Sequence, residues 1–321
     1  MVWVISPCSA PQRKLAADEQ YRLFEPIPPV AAVFCNEVHC GNCVLMASRT
    51  PLDVASLSHP GMVRPHNEDT VFVDGEAGLA VLADGMGGYS AGEVASGIAV
   101  NVISNGMLQE LRSGRQLSKV DVGSGLTHAG LLLQQQIALA NKSIYEAAQN
   151  RAECAGMGTT LVATVFFSNR VSIGHIGDSR CYRLRAGKFE QLTHDHSLLQ
   201  EQIDSGMLTP EQAKYSLNKN LVTRALGIEA VVPPDIAEYR AEPEDIYVLC
   251  SDGLTDMVDA DAVQEIIAAK RSDLAEAVAE LIDVANQNGG RDNISVVLVR
   301  VPEGFLPSGG WLQRWGAKKP A

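Results

Sequence analysis

A chain of 321 residues, 46% of them hydrophobic, is long enough to bury a full core as one large domain or two small ones. Its net charge of −12 and pI near 5.0 oppose non-specific nucleic-acid binding, because a phosphate backbone would be repelled. No apolar run has the length of a bilayer and the first residues lack a basic start, so we expect a cytoplasmic protein without a membrane segment.

The first segment, residues 1–45, has no periodic pattern, and prolines at positions 26, 28 and 29 interrupt it. We predict that it forms an irregular extension. The lack of pattern ends near Met46. This boundary suggests the hypothesis that the native chain starts at Met46.

The seven cysteines are an odd number spread over a long chain, which favours reduced thiols over a disulfide framework. Cys35, Cys40 and Cys43, with His39 among them, share the spacing of plant-type iron–sulfur loops. No fourth cysteine follows at a suitable distance. We therefore favour a cluster without a metal over an iron–sulfur site.

The body of the chain, residues 46–302, is predicted to form one domain of strands and helices. The predicted strands are 71–73, 79–83, 159–167, 170–177, 180–185 and 293–301. The predicted helices are 91–112, 125–149, 260–269 and 272–287. This clustered order of strands and helices favours an α+β fold with stacked antiparallel sheets and helices outside them.

Two segments of the chain are less regular. Residues 194–235 are polar and contain Gly206 and Pro210, which indicates a long surface excursion. In the tail, residues 303–321, Trp311 and Trp315 are four positions apart. That spacing favours a short amphipathic turn that packs on the domain over a membrane anchor.

Five aspartates recur at wide spacing, each beside a glycine, serine or asparagine: Asp69, Asp84, Asp178, Asp252 and Asp292. Hard divalent ions prefer oxygen ligands, and a small neighbouring residue lets an ion approach closely. One such pair is typical of an ordinary turn. Five of them near predicted strands instead indicate a multi-metal site gathered from strand ends.

Six segments occur in a fixed order along the chain. They are RPHNED at 64–69, VLADGMGG at 81–88, GMGTTL at 156–161, HIGDSRCY at 175–182, LCSDGL at 249–254 and GGRDNISVV at 289–297. In sequence and order they resemble the metal-dependent protein phosphatases of the protein phosphatase 2C family, bacterial branch. The resemblance implies a central antiparallel β-sandwich of two sheets, flanked by helix pairs on both sides, with residues 194–235 as a flap beside the active site.

The resemblance also implies how the acids act on two core ions, Mn²⁺ or Mg²⁺. Asp84 resembles the carboxylate that both ions share, and Gly85 resembles the residue whose carbonyl binds the second ion. Glu68 and Asp69 resemble residues that act on the second ion, mostly through waters.

The remaining acids resemble ligands on the other side of the site. Asp252 and Asp292 resemble the residues that complete the shell of the first ion. Asp178, together with Asp252, resembles the pair that holds a third and weaker ion in bacterial members. Asn293 is expected to orient the neighbouring ligand rather than bind metal.

A phosphate ester carries about two negative charges, so a cation must orient it in an acidic site. Arg64 fits this role by its position before the NED motif, because its planar fork can bind two phosphate oxygens at once. The general acid stays unassigned, since Met86 occupies the place of a histidine found in animal relatives. A metal-bound water is one candidate, and His194 and His196 are more weakly supported ones.

Other chemistries have no candidate nucleophile in this chain. The glycines after Asp84 lack the Lys-Ser/Thr pair of a nucleotide P-loop, and no G-x-S-x-G elbow or phosphatase-type cysteine loop occurs. A water activated between metal ions is what remains. A two-metal phosphodiesterase or nuclease is disfavoured by the acidic charge and the motif order.

The favoured function is a metal-dependent serine/threonine protein phosphatase that opposes a bacterial Ser/Thr kinase. The expected partners are phosphorylated proteins, among them the kinase and its substrates, and we expect a monomer. The alternative is a non-catalytic signalling module of the same fold that binds a phosphorylated partner. Loss of a metal-binding acid would mark that alternative, and none is missing.

Overall fold

The computed structural model of the protein describes residues 50–88, 91–113, 116–213 and 221–305. Four sequence predictions lie outside these residues: the irregular extension, the start at Met46, the cluster of Cys35, Cys40 and Cys43, and the tail with Trp311 and Trp315. No helix in the described ranges combines the length and apolar character that crossing a membrane requires.

The described residues form an α+β structure. In chain order the strands are β1 (Asp53–His59), β2 (Asp69–Asp74), β3 (Leu79–Met86), β4 (Gly158–Thr159), β5 (Leu161–Phe167), β6 (Arg170–Ile176), β7 (Arg180–Arg185), β8 (Lys188–Gln191), β9 (Asp235–Arg240), β10 (Ile246–Cys250) and β11 (Ile294–Arg300). The helices are α1 (Ala91–Arg112), α2 (His128–Asn150), α3 (Leu198–Asp204), α4 (Pro210–Ala213), α5 (Asp252–Thr255), α6 (Ala260–Ala269) and α7 (Leu274–Gln287), with a short 3-10 helix at Ala152–Cys154.

The strands make two antiparallel sheets. In one the order is β1-β11-β10-β7-β8, and in the other it is β2-β3-β5-β6-β9, with β4 paired to β3. Apolar side chains from both sheets, such as Phe166 and Tyr247, form a core between them. Helices α1 and α2 cover the second sheet, and α6 and α7 cover the first. This four-layer arrangement confirms the predicted sandwich flanked by helix pairs.

Most of the predicted elements are present, with shifts at their ends that local hydrogen bonds explain. The predicted helix at 125 begins instead at His128, because Thr127 caps it by accepting the N–H of Gly130 at 3.3 Å. The predicted strand 159–167 is divided near Thr160, whose N–H donates to the carbonyl of Asp84 at 2.9 Å.

Strands β1, β8, β9 and β10 were not predicted from the sequence. The strand β10 is a fully buried apolar run of five residues, and such a run cannot be told from a buried helix segment by periodicity. The strands β8 and β9 are partly exposed and carry charged residues, so their alternation is weak. Regular antiparallel pairing defines them as strands: β8 pairs with β7 in a local hairpin, and β9 pairs with β6 from a later part of the chain.

The strand ends next to the predicted acids lie at one end of the sandwich in both sheets. Strand β3 ends there and β2 begins there, because the two are antiparallel neighbours. Strands β6 and β10 also end there, and β11 begins there. The loops that follow or precede these strand ends carry the predicted acids, so the topology gathers residues that are far apart in sequence.

Candidate metal centre

The first pair of acids comes from neighbouring strands. Asp69 opens β2 and Asp84 lies near the end of β3, and the two are directly opposite in the antiparallel register. Like charges in this position repel each other. The backbone of Asp84 is fixed by Thr160, which accepts its N–H through Oγ1 at 3.3 Å, so the side chain is held in place by the neighbouring strand segment.

Gly85 occupies a place where the backbone is crowded. A Cβ atom there would lie 2.1 Å from the carbonyl oxygen of Gly92 and 2.6 Å from that of Glu68. The Gly85 N–H donates to the same Glu68 oxygen at 3.2 Å. A side chain at this position would therefore push the end of β3 away from helix α1 and from Glu68.

The other acids follow the ends of further strands. Asp178 comes after β6 and is buried, Asp252 is the first residue of α5 after β10, and Asp292 precedes β11 and is half-buried. Ser251, between β10 and Asp252, donates from its Oγ to Asp69 at 2.9 Å. The Ser251 hydroxyl thus connects Asp69, in one sheet, to the segment that follows β10 of the other sheet.

A cavity of about 560 Å³ lies among these strand ends. Its walls contain eight of the nine predicted site residues: Arg64, Glu68, Asp84, Gly85, Asp178, Asp252, Asp292 and Asn293. Asp69 lies behind the wall, where it is buried and bonded to Ser251. The tertiary structure therefore brings the predicted set together around one space.

Burial and mutual repulsion disfavour the charged form of these acids. Burial raises the pKa of Asp69 to about 6 and that of Asp178 to about 6. Burial, followed by repulsion from neighbouring aspartates, raises the pKa of Asp84 and of Asp252 well above the usual range. Burial also raises the pKa of Glu68. A positive charge in the cluster would stabilise the charged form of these carboxylates.

Arg64 is the cation in the cavity wall that contacts the acids. Its guanidinium donates to Asp292 at 2.7 Å, and 55% of its side chain remains exposed. The hydrogen bond and the negative charge of Asp292 raise the pKa of Arg64, so the side chain is charged throughout the working range. Arg64 is the one arginine or lysine among the described residues of the wall, which also holds Asp84, Asp178, Asp252 and Asp292.

The donor set fits divalent cations. Asp69 Oδ1 and Asp252 Oδ1 are buried and have no hydrogen-bond partner, which is costly unless a cation or another donor satisfies them. Within the described residues, no three His, Cys, Asp or Glu side chains converge at ligand spacing. Oδ2 of Asp292 accepts from Arg64 and Oδ2 of Asp69 accepts from Ser251, whereas Oδ1 of Asp69 and Oδ1 of Asp252 are left for a cation.

Asn293 joins the loop that carries Arg64 to the loop that carries Asp292. Its Oδ1 accepts the backbone N–H of Glu68 at 2.8 Å, and its Nδ2 donates to the carbonyls of Pro60 and His66 at 3.1 and 2.9 Å. Its own N–H donates to Asp292 Oδ1 at 2.9 Å. The side chain thus fixes the loop 60–68, while the backbone N–H contacts the neighbouring acid.

Four further residues in the cavity wall were not singled out from the sequence: Pro65, His66, Thr160 and Val222. His66 lies inside the RPHNED segment and Thr160 inside GMGTTL, so their motifs were the available signal. Val222 belongs to the segment predicted as a flap and had no signal of its own.

The two histidines considered as general acids have other contacts. His194 is exposed and bonded to Asp204 at 2.6 Å. His196 is buried; its Nδ1 accepts the N–H of Gly177 at 3.1 Å, and its Nε2 lies 3.1 Å from Asp235. Neither histidine is in the cavity wall. Among the described residues that line the cavity, His66 is the one histidine.

Comparison with known proteins agrees with this arrangement. A family model described as protein phosphatase 2C matches residues 64–298, which is most of the chain. The serine/threonine phosphatase stp of Listeria welshimeri is 38% identical over 242 residues, covering 74% of this chain and 92% of that protein. The serine/threonine protein phosphatase PstP of Mycobacterium tuberculosis is 38% identical over 251 residues, covering 78% of this chain and 45% of that protein.

Solved structures give the same result. The crystal structure of the M. tuberculosis phosphatase PstP/Ppp aligns with a TM-score of 0.70 at 35% identity, covering 79% of this chain and 100% of that one. The PstP catalytic domain in complex with two manganese ions aligns with a TM-score of 0.68 at 36% identity, covering 79% and 99%. The fold and the site thus define a protein of the phosphatase type with two helix-flanked sheets. The chain belongs to the protein phosphatase 2C family.

Proposed function

We propose that this protein is a metal-dependent serine/threonine protein phosphatase that hydrolyses phosphoserine and phosphothreonine in proteins. The enzyme class predicted from the sequence is confirmed by the relatives, which are named serine/threonine phosphatases at 38% identity. The observation that carries the proposal is the single cavity whose wall holds eight of the nine predicted site residues. The non-catalytic alternative is not favoured, because every predicted acid is present and lies in or behind that wall.

Mn²⁺ or Mg²⁺ is the cofactor, in agreement with the family and with the related phosphatase structure that contains two manganese ions. Asp84 and the Gly85 carbonyl, with Asp252 and Asp292, would hold the core ions. Glu68 in the wall and Asp69 behind it would act on the second ion, mostly through waters. Asp178 would take part in binding a third ion together with Asp252. Divalent ions held by these residues would supply an acidified water as the nucleophile for phosphate-ester hydrolysis.

The residues of the chain itself supply binding, orientation and charge. Arg64 would bind two oxygens of the phosphoryl group with its guanidinium, which is half-exposed and therefore able to turn from Asp292 toward a ligand. Asn293 would hold the Arg64 loop at a fixed distance from Asp292 through its three side-chain hydrogen bonds. The acidic wall would repel a dianion that is not paired with a cation, so phosphate enters only on the Arg64 side.

The substrates are phosphorylated proteins. We further propose that they include a bacterial Ser/Thr kinase and the substrates of that kinase, and that the enzyme acts as a monomer in the cytoplasm. The proposed organisation is an extension over residues 1–45, a catalytic domain over 46–302 with a flap at about 194–235, and a tail over 303–321.

A parallel assay on phosphoserine, phosphothreonine and phosphotyrosine peptides, with Mn²⁺, Mg²⁺ or EDTA, tests the proposal. We expect turnover of the phosphoserine and phosphothreonine peptides only when a divalent ion is present. Preference for phosphotyrosine, or turnover that persists in EDTA, would contradict it.

A further inference from the structure

A pair of apolar side chains lies on the surface directly before the arginine of the cavity wall. Met62 is 68% exposed and Val63 is 66% exposed, and Arg64 follows them in the chain. Large apolar side chains that stay in water carry a cost in free energy, which a ligand that covers them would remove. We call Met62 and Val63 the apolar rim.

Backbone contacts fix the loop that carries the apolar rim. The N–H of Met62 donates to the carbonyl of Gly290 at 2.7 Å. Gly61 has a φ of +76°, and a Cβ there would lie 2.2 Å from the carbonyl oxygen of Asp292, so the two backbones are in close contact. Together with the bonds from Asn293, these contacts present the apolar rim in a fixed orientation.

The cavity wall itself also contains apolar side chains. Val222 and Met86 are in the wall, and both are partly exposed. The remaining wall is largely acidic, with Glu68 and Asp292 nearest to the Arg64 side. Acidic side chains of a substrate next to its bound phosphate would therefore be repelled by the wall, while apolar side chains of the substrate would contact apolar surface.

From this arrangement we propose that the enzyme selects phosphoproteins with a large apolar residue directly beside the phosphorylated serine or threonine, and that Met62 and Val63 bind that residue. Val63 is bonded directly to Arg64 and neighbouring Cα atoms are about 3.8 Å apart, so the apolar rim begins one residue from the side chain proposed to bind the phosphate. The inference rests on the proposed phosphatase function.

Other occupants of the rim fit less well. Two side chains cannot supply the roughly 800 Å² per partner that a standard protein interface buries, so a second copy of the chain is disfavoured. The net charge of −12 opposes an anionic lipid surface. A substrate peptide needs only a small contact area, because the phosphate and the cavity supply the rest of its binding.

The test uses the full-length enzyme with Mn²⁺ and phosphothreonine peptides that differ only in the residue next to the phosphothreonine, which is Leu, Ser or Glu on either side. We expect kcat/KM to be about fivefold higher for a Leu peptide than for the Ser peptide, and lower again for Glu, since apolar contact on an open surface gives modest discrimination. In the Met62→Ser/Val63→Ser variant the ratio of Leu to Ser should fall to about one.

Val122→Ser is the matched control, because Val122 is 99% exposed and lies outside the cavity wall; it should keep the wild-type ratio. The single Val63→Ser variant gives the same comparison with a smaller change and serves if the double variant is unstable. Equal kcat/KM for the Leu and Ser peptides in the wild type, or a preference that survives in both variants, would overturn the inference. Absence of all peptide turnover in the folded wild type would instead overturn the phosphatase proposal itself.

Discussion

The guanidinium of Arg64 donates to the carboxylate of Asp292 at 2.7 Å, across 228 positions of the chain. This ion pair connects the residue proposed to bind phosphate with a residue proposed to bind metal. Because the pair is largely exposed, its own contribution to stability is small, about 0 to 1 kcal/mol. Its importance lies in where it places the arginine, at the edge of an acidic cavity.

Arg64→Ala should raise KM for a phosphothreonine peptide by about 10- to 100-fold, with a smaller change in kcat, because a charged hydrogen bond to the phosphate is lost. Steady-state kinetics with Mn²⁺ measures this. Arg291→Ala is the control, since Arg291 is exposed in the adjoining loop and is outside the cavity wall. An unchanged KM in Arg64→Ala would argue against the phosphate clamp.

Asp84→Asn should abolish Mn²⁺-dependent hydrolysis while the fold is retained. An amide has no charge to offer two cations, and the neutral side chain avoids the cost of burying a charge and the repulsion from neighbouring aspartates, which together raise the pKa of Asp84. Phosphopeptide turnover together with circular dichroism checks both parts. Asp283→Asn, at an exposed position of α7, should behave as the wild type. Retained turnover in Asp84→Asn would mean that the shared ligand is misplaced.

Asn293→Ala should release the loop 60–68 and weaken substrate binding through Arg64. We expect an increase in KM similar to that of Arg64→Ala, and little further effect when the two changes are combined, because both act on the same contact. Asn288→Ala is the control, since Asn288 is exposed and bonds the carbonyl of Met257. Additive effects in the double variant would show that Asn293 acts independently of Arg64.

In EDTA the free energy of unfolding should fall as pH rises from about 4 to 7. The folded-state pKa of Asp178 is raised from 3.8 to about 6, so the folded protein binds the proton more tightly and loses that stabilisation on deprotonation. A shift of this size corresponds to about 3 kcal/mol. Urea titrations at pH 5 and pH 7.5 compare the wild type with Asp178→Asn.

The Asp178→Asn variant should show a smaller loss of stability between these two pH values than the wild type. Excess Mn²⁺ should reduce or reverse the dependence, because metal binding requires deprotonated carboxylates. Parallel pH profiles of the two proteins in EDTA would contradict the raised pKa of Asp178.

Deletion of residues 1–45 should leave kcat and KM for a phosphothreonine peptide unaltered. The expectation follows from the proposed boundary, which places every site residue after Met46. Side-by-side kinetics of the full chain and the shortened chain measures it. A large loss of activity in a chain that still folds would show that the extension is part of the enzyme.

The sequence by itself determined the family and the fold class, and it predicted a set of acids that the structure places in or behind one cavity wall. Metal-binding aspartates need a small neighbour and a fixed place at a strand end, and both requirements leave local marks such as those around Asp84 and Asp252. The long amphipathic helices were also predictable, because their apolar residues recur along the chain with the period of an α-helix. Helices α1 and α6 have the predicted bounds, whereas α2 and α7 begin three and two residues later than predicted, directly after the N-cap residues Thr127 and Asp273.

Only the tertiary structure decided how these residues meet. Asp69 lies behind the cavity and not in its wall, because the register of β2 with β3 directs it toward Ser251. Asn293 holds the Arg64 loop by contacts with residues more than 200 positions away, and no local pattern encodes such contacts. Strands β8 and β9 are defined by their pairing with β7 and β6, because the residues of a short, half-exposed strand carry little pattern of their own.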